Sequence, residues 1–127
     1  MGLIESLEGE FMNYQDIITY VVKEYGVQPE YLWKKYPSFA VLRHPENRKW
    51  FGLVMQVEKM QLGLSGQGKE DIMDVKLDPK EVEFRQATLG ILPAYHMNKT
   101  NWLSIRLNEV DSKQICDLID ASYQLTK

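Results

Sequence analysis

Arg43-His44-Pro45-Glu46-Asn47-Arg48-Lys49-Trp50 leads into the alternating run Phe51, Leu53, Met55, Val57. Farther along, Tyr95-His96-Met97-Asn98-Lys99-Thr100-Asn101-Trp102 leads into Leu103, Ile105, Leu107. Each stretch holds a His, an Asn followed directly by a basic residue, and a Trp six positions after the His. Each lies between runs with the period-two alternation of a strand, so each reads as a hairpin tip. The 2 histidines of the chain both fall in these stretches, with two of its 3 tryptophans. Two hairpins without a βαβ repeat predict an antiparallel sheet.

The rest of the pattern fits round that sheet. Leu3, Leu7, Phe11, Tyr14, Ile18, Val21 or Val22, and Tyr25 recur at helical spacing, and Gly26 ends the run as a C-terminal glycine does. Residues 1–13 are expected to form a helical N-terminal extension. Strands are predicted over 39–43, over 50 to about 62, and over 72–77, with Met73, Val75 and Leu77 on one side and Asp74 and Lys76 on the other. Asp78-Pro79-Lys80-Glu81 starts a second helix, with Asp as cap and Pro at the first helical position. The second hairpin pairs 93–97 with 102–107, Ser104 and Arg106 facing out. Asp111 caps a last helix whose buried stripe is Ile115, Leu118, Ile119 and Leu125. The predicted order is α-β-β-β-α-β-β-α, a single α+β domain over 1–127 with helices layered on an antiparallel sheet.

Composition narrows the function classes. A chain of 127 residues fits one domain with a real core. It has 44% hydrophobic and 26% charged residues and no apolar run of membrane-spanning length, so no membrane partner is expected. The N-terminus lacks the marks of a signal peptide, and one cysteine, Cys116, suits a reducing cytoplasm. The net charge of -3 is unevenly spread. Residues 1–30 carry six acids against Lys23, whereas residues 31–50 carry Lys34, Lys35, Arg43, Arg48 and Lys49 against Glu46. A basic face on an acidic body is therefore available.

Enzymatic motifs are sparse. Gly63-Leu64-Ser65-Gly66-Gln67-Gly68-Lys69 has the G-x-x-x-x-G-K spacing of a phosphate loop, but Glu70 stands where Ser or Thr must hold magnesium. A strand rather than a helix follows it, so it reads as a glycine-rich hairpin. Two histidines and one cysteine give no metal-ligand spacing, and no metal or cofactor is expected. Cys116 lies beside an apolar stripe and reads as a packing residue. Only a His44–His96 pair, brought together by folding, would make a catalytic site; the chain is otherwise expected to be non-enzymatic.

The string Tyr31-Leu32-Trp33, Lys35-Tyr36-Pro37, Ala40-Val41, Arg43-His44, Asn47-Arg48-Lys49-Trp50-Phe51 resembles the MmcQ/YjbR family. So do Gly90-Ile91, Pro93-Ala94-Tyr95-His96-Met97-Asn98-Lys99, Trp102, and Leu118-Ile119-Asp120-Ala121-Ser122-Tyr123. The resemblance runs from about Tyr14 to Leu125, with the blocks in order. It implies a small cytoplasmic bacterial protein with a sandwich like that of type III secretion chaperones. It also implies DNA binding through two wing-like hairpins, in a family whose biological role is poorly defined.

From the residues themselves, Arg43, Arg48, Lys49 and Lys99 are candidates for phosphate contacts. His44, Asn47, His96 and Asn98 are candidates for hydrogen bonds to phosphate, sugar or base edges. Trp50 and Trp102 offer faces for an unpaired base, although tryptophans at strand starts more often pack in the core. Both asparagines also stand where hairpin turns favour Asn. DNA binding of modest, salt-dependent affinity is the expected activity. The alternative is a protein- or peptide-binding module of the secretion-chaperone type, using an apolar groove or a sheet edge. The oligomeric state is left open.

Overall fold

The computed structural model describes residues 10–127. Helix α1 spans Tyr14–Tyr25, followed by strands β1 (Ala40–Arg43), β2 (Trp50–Glu58) and β3 (Lys69–Lys76). Helix α2 (Pro79–Arg85), strands β4 (Ile91–Pro93) and β5 (Trp102–Arg106), and helix α3 (Ser112–Thr126) complete the chain. A 3-10 turn, Lys59–Leu62, sits between β2 and β3. The five strands form one antiparallel sheet in the order β1-β2-β3-β5-β4. The α+β layering and the element order are those the sequence predicts.

The first helix begins later than its apolar spacing suggests. Asn13 caps it, accepting from Asp16 N while Asp16 closes the reciprocal bond, so the apolar spacing through Phe11 is not continued as helix. Phe11 is exposed, and Met12 takes its expected place in the core. Leu3 and Leu7, and the proposed extension over 1–9, lie outside the described residues. Gly26 ends the helix in the left-handed conformation at φ 67, as predicted.

Helix faces meet the sheet on one side only. Ile17 and Val21 of α1, Val82 of α2, and Ile115, Leu118 and Ile119 of α3 pack on Ala40, Leu42, Val54, Met73, Val75, Leu103 and Ile105. Leu125 is exposed; Ser122 and Thr126 take the buried positions at that end of α3. Ser122 does so because its hydroxyl is satisfied, donating to Phe51 O and accepting from Lys76 N. A register shift between Leu42 and Arg43 takes Phe51 out of the predicted alternation with Leu53, Met55 and Val57, so that Phe51 faces the helices while Trp50 joins those residues on the other face.

The opposite face is not bare, which overturns the expectation that Ser104 faces out. A second apolar cluster of Phe39, Val41, Leu53, Met55, Val57 and Ile72 lies there, covered by Trp33, Trp50, Tyr95 and Met97. The loop between α1 and β1 supplies part of that cover. Its start is fixed to the sheet by reciprocal Glu30–Val41 backbone hydrogen bonds of 3.0 and 2.8 Å. Asp74 and Ser104 are both 0% exposed beneath this layer. At the far end of the same face, Arg106 makes a bidentate pair with buried Glu70 at 2.9 and 2.6 Å. Strands buried on both faces read as nearly continuous apolar runs, which is why β2 shows no clean alternation.

Candidate functional site at the hairpin tips

The two tips lie at the same end of the sheet. β2 and β5 are each antiparallel to β3, so they run in the same direction, and Trp50 and Trp102 begin them at one end. β3 finishes between them, with Lys76 paired to Trp102.

At the first tip the sequence candidates separate. His44 is 3% exposed, so it is a core residue and not a surface contact. Its ring lies 4.4 Å from that of Tyr123 and 5.1 Å from that of Phe51. Its Nε2 is 2.8 Å from Thr126 Oγ1. Burial pushes its pKa down, because the charged imidazolium would lose hydration there. Asn47 donates to Thr126 O at 3.0 Å, and its Oδ1 accepts from Lys49 N at 2.8 Å. The tip is thus fastened to the end of α3, and Arg48 turns the corner at φ 64.

Arg43 is directed inward along the edge. It grips Glu30 through two bonds of 3.1 and 2.6 Å, and the pair holds the Glu30 carboxyl below the ordinary carboxylate range. Arg43 therefore commits its Nε–Nη2 edge and its charge to Glu30, with its side chain only 19% exposed. Arg48 also reaches Glu30, at 3.2 Å, but its side chain remains 55% exposed. Lys49 is exposed.

The second tip is anchored to the other layer. Tyr95 N donates to Ser104 Oγ at 2.9 Å, and that hydroxyl makes a very short hydrogen bond to Asp74 Oδ1. Asn98 Oδ1 accepts from Thr100 N and Asn101 N at 2.8 and 3.1 Å, closing its own turn. His96 is exposed in a left-handed conformation at φ 69 and meets the rings of Tyr95, Tyr36 and Phe39. Lys99 is exposed, and Trp102 is 6% exposed and packs as core. His44 and His96 belong to opposite faces of the sheet, so the pair imagined as a catalytic site does not assemble.

Cations missed by the sequence reading join the tips. Lys76 ends β3, and Lys80 lies in the first turn of α2 beside Lys99 across one shallow groove. Lys127 follows Thr126, which the first tip holds. Strand direction was the signal available for them, because it carries the end of β3 and the start of α2 to the end where the tips lie. The carboxylates on these segments are Glu46, Asp78, Glu81 and Glu83. Asp78 caps α2, and Glu81 pairs with Arg85 at 3.1 Å.

Other chemistry stays thin. Among the described residues no three of His, Cys, Asp and Glu gather as they would round a metal ion, and no helix is long and apolar enough to cross a membrane. Cys116 is half-buried beside Met12, and burial pushes its thiol up, away from nucleophilic thiolate. The glycine-rich loop joins antiparallel β2 and β3 with Lys69 already in the strand, so it has no helix to cradle phosphate.

Comparison with known proteins agrees with the fold. The chain is 44% identical over 114 residues to the uncharacterised protein YyaQ of Bacillus subtilis, covering 89% of this chain and 97% of that one. A Pseudomonas syringae protein solved by crystallography superposes with a TM-score of 0.89 at 40% identity, covering 91% of this chain and all of the other. A Deinococcus radiodurans protein shares the fold at 19% identity with a TM-score of 0.67, over 94% of this chain and 81% of its own. The YjbR family model matches residues 23–125, and the chain belongs to the YjbR family.

Proposed function

We propose that the protein binds a nucleic-acid backbone, most simply duplex DNA, across the end of the sheet where both tips lie. The observation that carries this reading is the gathering of Arg48, Lys49, Lys76, Lys80, Lys99 and Lys127 at that end of an otherwise acidic chain. Arg48, Lys49 and Lys99 project from the tips as phosphate partners. Lys76, Lys80 and Lys127 replace Arg43 in the set first drawn from the sequence. His44 and Asn47 act by fixing the first tip's shape, and Asn98 does so at the second, while His96 remains an exposed hydrogen-bonding group. No chemistry is required of the site, and the reading is of a binding protein rather than an enzyme.

Peptide capture by strand addition finds less support. The β1 edge already spends Val41 N and O on Glu30, and β4 has three residues ending in Pro93.

Fluorescence anisotropy with a labelled duplex over a salt series tests the proposal. Three to five neutralised phosphates give a slope of log K against log salt of about -3 to -4. The double reversal Lys49→Glu and Lys99→Glu should flatten that slope by roughly two and weaken binding to unrelated sequences alike. Binding indifferent to salt, or untouched by the reversal, rules the tips out as the contact surface.

A further inference from the structure

The second tip borders an aromatic cleft of about 270 Å³ lined by Trp33, Tyr36, Phe39, Trp50, Leu53 and His96, whereas the first borders a cluster of charges. At the centre of that cluster is Glu30, in the segment between α1 and β1. The bonds of Glu30 N and O to Val41 fix this residue against the β1 edge, and Arg43 ends that strand where the tip begins. One carboxylate there meets two guanidinium groups.

The two contacts are unequal. Arg43 closes a fork, Nε to Oε2 at 3.1 Å and Nη2 to Oε1 at 2.6 Å, and its side chain is 19% exposed. Arg48 reaches the same Oε1 through Nη2 at 3.2 Å and stays 55% exposed. The lowered Glu30 carboxyl follows this ranking, since hydrogen bonding from Arg43 is its largest cause and that from Arg48 its smallest. When Arg48 leaves, both oxygens of Glu30 keep a partner, so no bare carboxylate remains. What is lost is one exposed ion pair, a factor of about two to five in an equilibrium. A backbone phosphate offers Arg48 two oxygens in place of one that is shared.

We propose that Glu30 restrains the nucleic-acid site: it holds Arg48 until a backbone phosphate displaces it, while Arg43 stays on Glu30. This restraint presupposes the phosphate contacts proposed for the tips. It makes Glu30 an internal competitor for the ligand and Arg43 the partner that keeps Glu30 neutralised after the exchange.

Anisotropy titrations of the labelled duplex with the full chain, run as a double-mutant cycle at about 0.15 M salt, test the exchange. Glu30→Gln keeps the side-chain volume and an acceptor for Arg43 but removes the charge that holds Arg48. It should bind about two- to fivefold more tightly than wild type, with the slope of log K against log salt unchanged because the same phosphates are contacted. In an Arg48→Ala background the same substitution should change affinity by less than about 1.5-fold. Equal gains with and without Arg48 would assign the effect to net charge alone and overturn the proposal. So would no gain, or a slope steeper by about one, the sign that Arg43 has become a new phosphate contact. In the wild-type protein the guanidinium ¹⁵N signals of Arg48 should shift on adding duplex while those of Arg43 stay in place. A static Arg48 or a moving Arg43 refutes the exchange, whatever the stability of the variants. Wild-type binding with the expected salt slope, alongside failure of these tests, removes the restraint and leaves the phosphate site standing; a flat salt response removes the site itself.

Discussion

At the first tip the histidine is buried between Tyr123 and Phe51, with its Nε2 beside Thr126, whereas at the second it stands exposed near the aromatic cleft. Both tips carry His, Asn-basic and Trp at the same spacing, and both are fastened to the body by a buried polar contact. The fastenings run to opposite layers. His44 and Asn47 hold the end of α3; Tyr95 reaches through Ser104 to Asp74 of β3. Even the tryptophans diverge, Trp50 lining the cleft and Trp102 joining the buried residues. A shared pattern of residue types therefore specifies a shared turn but not a shared role. The role depends on which layer happens to lie within reach.

Removing each histidine is the sharpest way to break this contrast. His44→Ala deletes a ring packed against two others and leaves a cavity beside Thr126, at a cost of about 2–4 kcal/mol in urea unfolding. His96→Ala, at an exposed position, should stay within about 0.5 kcal/mol. Equal losses at the two sites would abolish the distinction.

The two anchors also respond to pH with opposite signs. Asp74 in the folded protein is pushed up to about 8, so between its unfolded pKa near 4 and that value the folded state holds the extra proton. Its contribution is complete below pH 4 and is lost as pH rises toward 8. His44, held below the ordinary imidazole range, binds its proton more readily when unfolded, so its contribution is lost as pH falls below about 6.5. Thermal melts should show Asp74→Asn removing the decline between about pH 4 and 8, and His44→Gln reducing the loss below about pH 6.5. An unchanged decline over about pH 4 to 8 in Asp74→Asn would exclude this carboxyl as its source.

Smaller effects sharpen the comparison. Asn47→Ala loses both the bond to Thr126 and a turn bond, about 1–2 kcal/mol, whereas Asn98→Ala loses only its turn bonds, about 0.5–1 kcal/mol. Lys49→Ala and Lys99→Ala should each change stability by less than about 0.5 kcal/mol, since both are exposed. A larger loss at either lysine would mean that it serves the fold rather than a ligand.

Much of the architecture was legible because it is local. Asp78-Pro79 and Asp111 start their helices where they stand in the sequence, Gly26 stops one, and the strand runs around both tips are apolar at the expected places. The candidate site was legible only in part. Arg48, Lys49, His96, Asn98 and Lys99 lie on exposed turns, as their types suggested. Arg43 and His44 do not, because Glu30 and Thr126 approach from 13 and 82 residues away. No local signal announces such a partner. Ser104 is buried where alternation assigns a polar residue to an open face, because alternation alone does not show that a second layer covers that face.

By itself, then, the sequence determined the elements, their order, the turns and the family, since periodicity, caps and turn chemistry act over a few residues. Tertiary structure alone decided that the sheet is covered on both sides, that both tips share one end, and that Trp33, Tyr36, Phe39 and Trp50 gather over Leu53. Those outcomes depend on strand direction, on the register shift at Leu42/Arg43 and on a long loop folding back over the sheet. They join side chains far apart along the chain, and only packing brings them together.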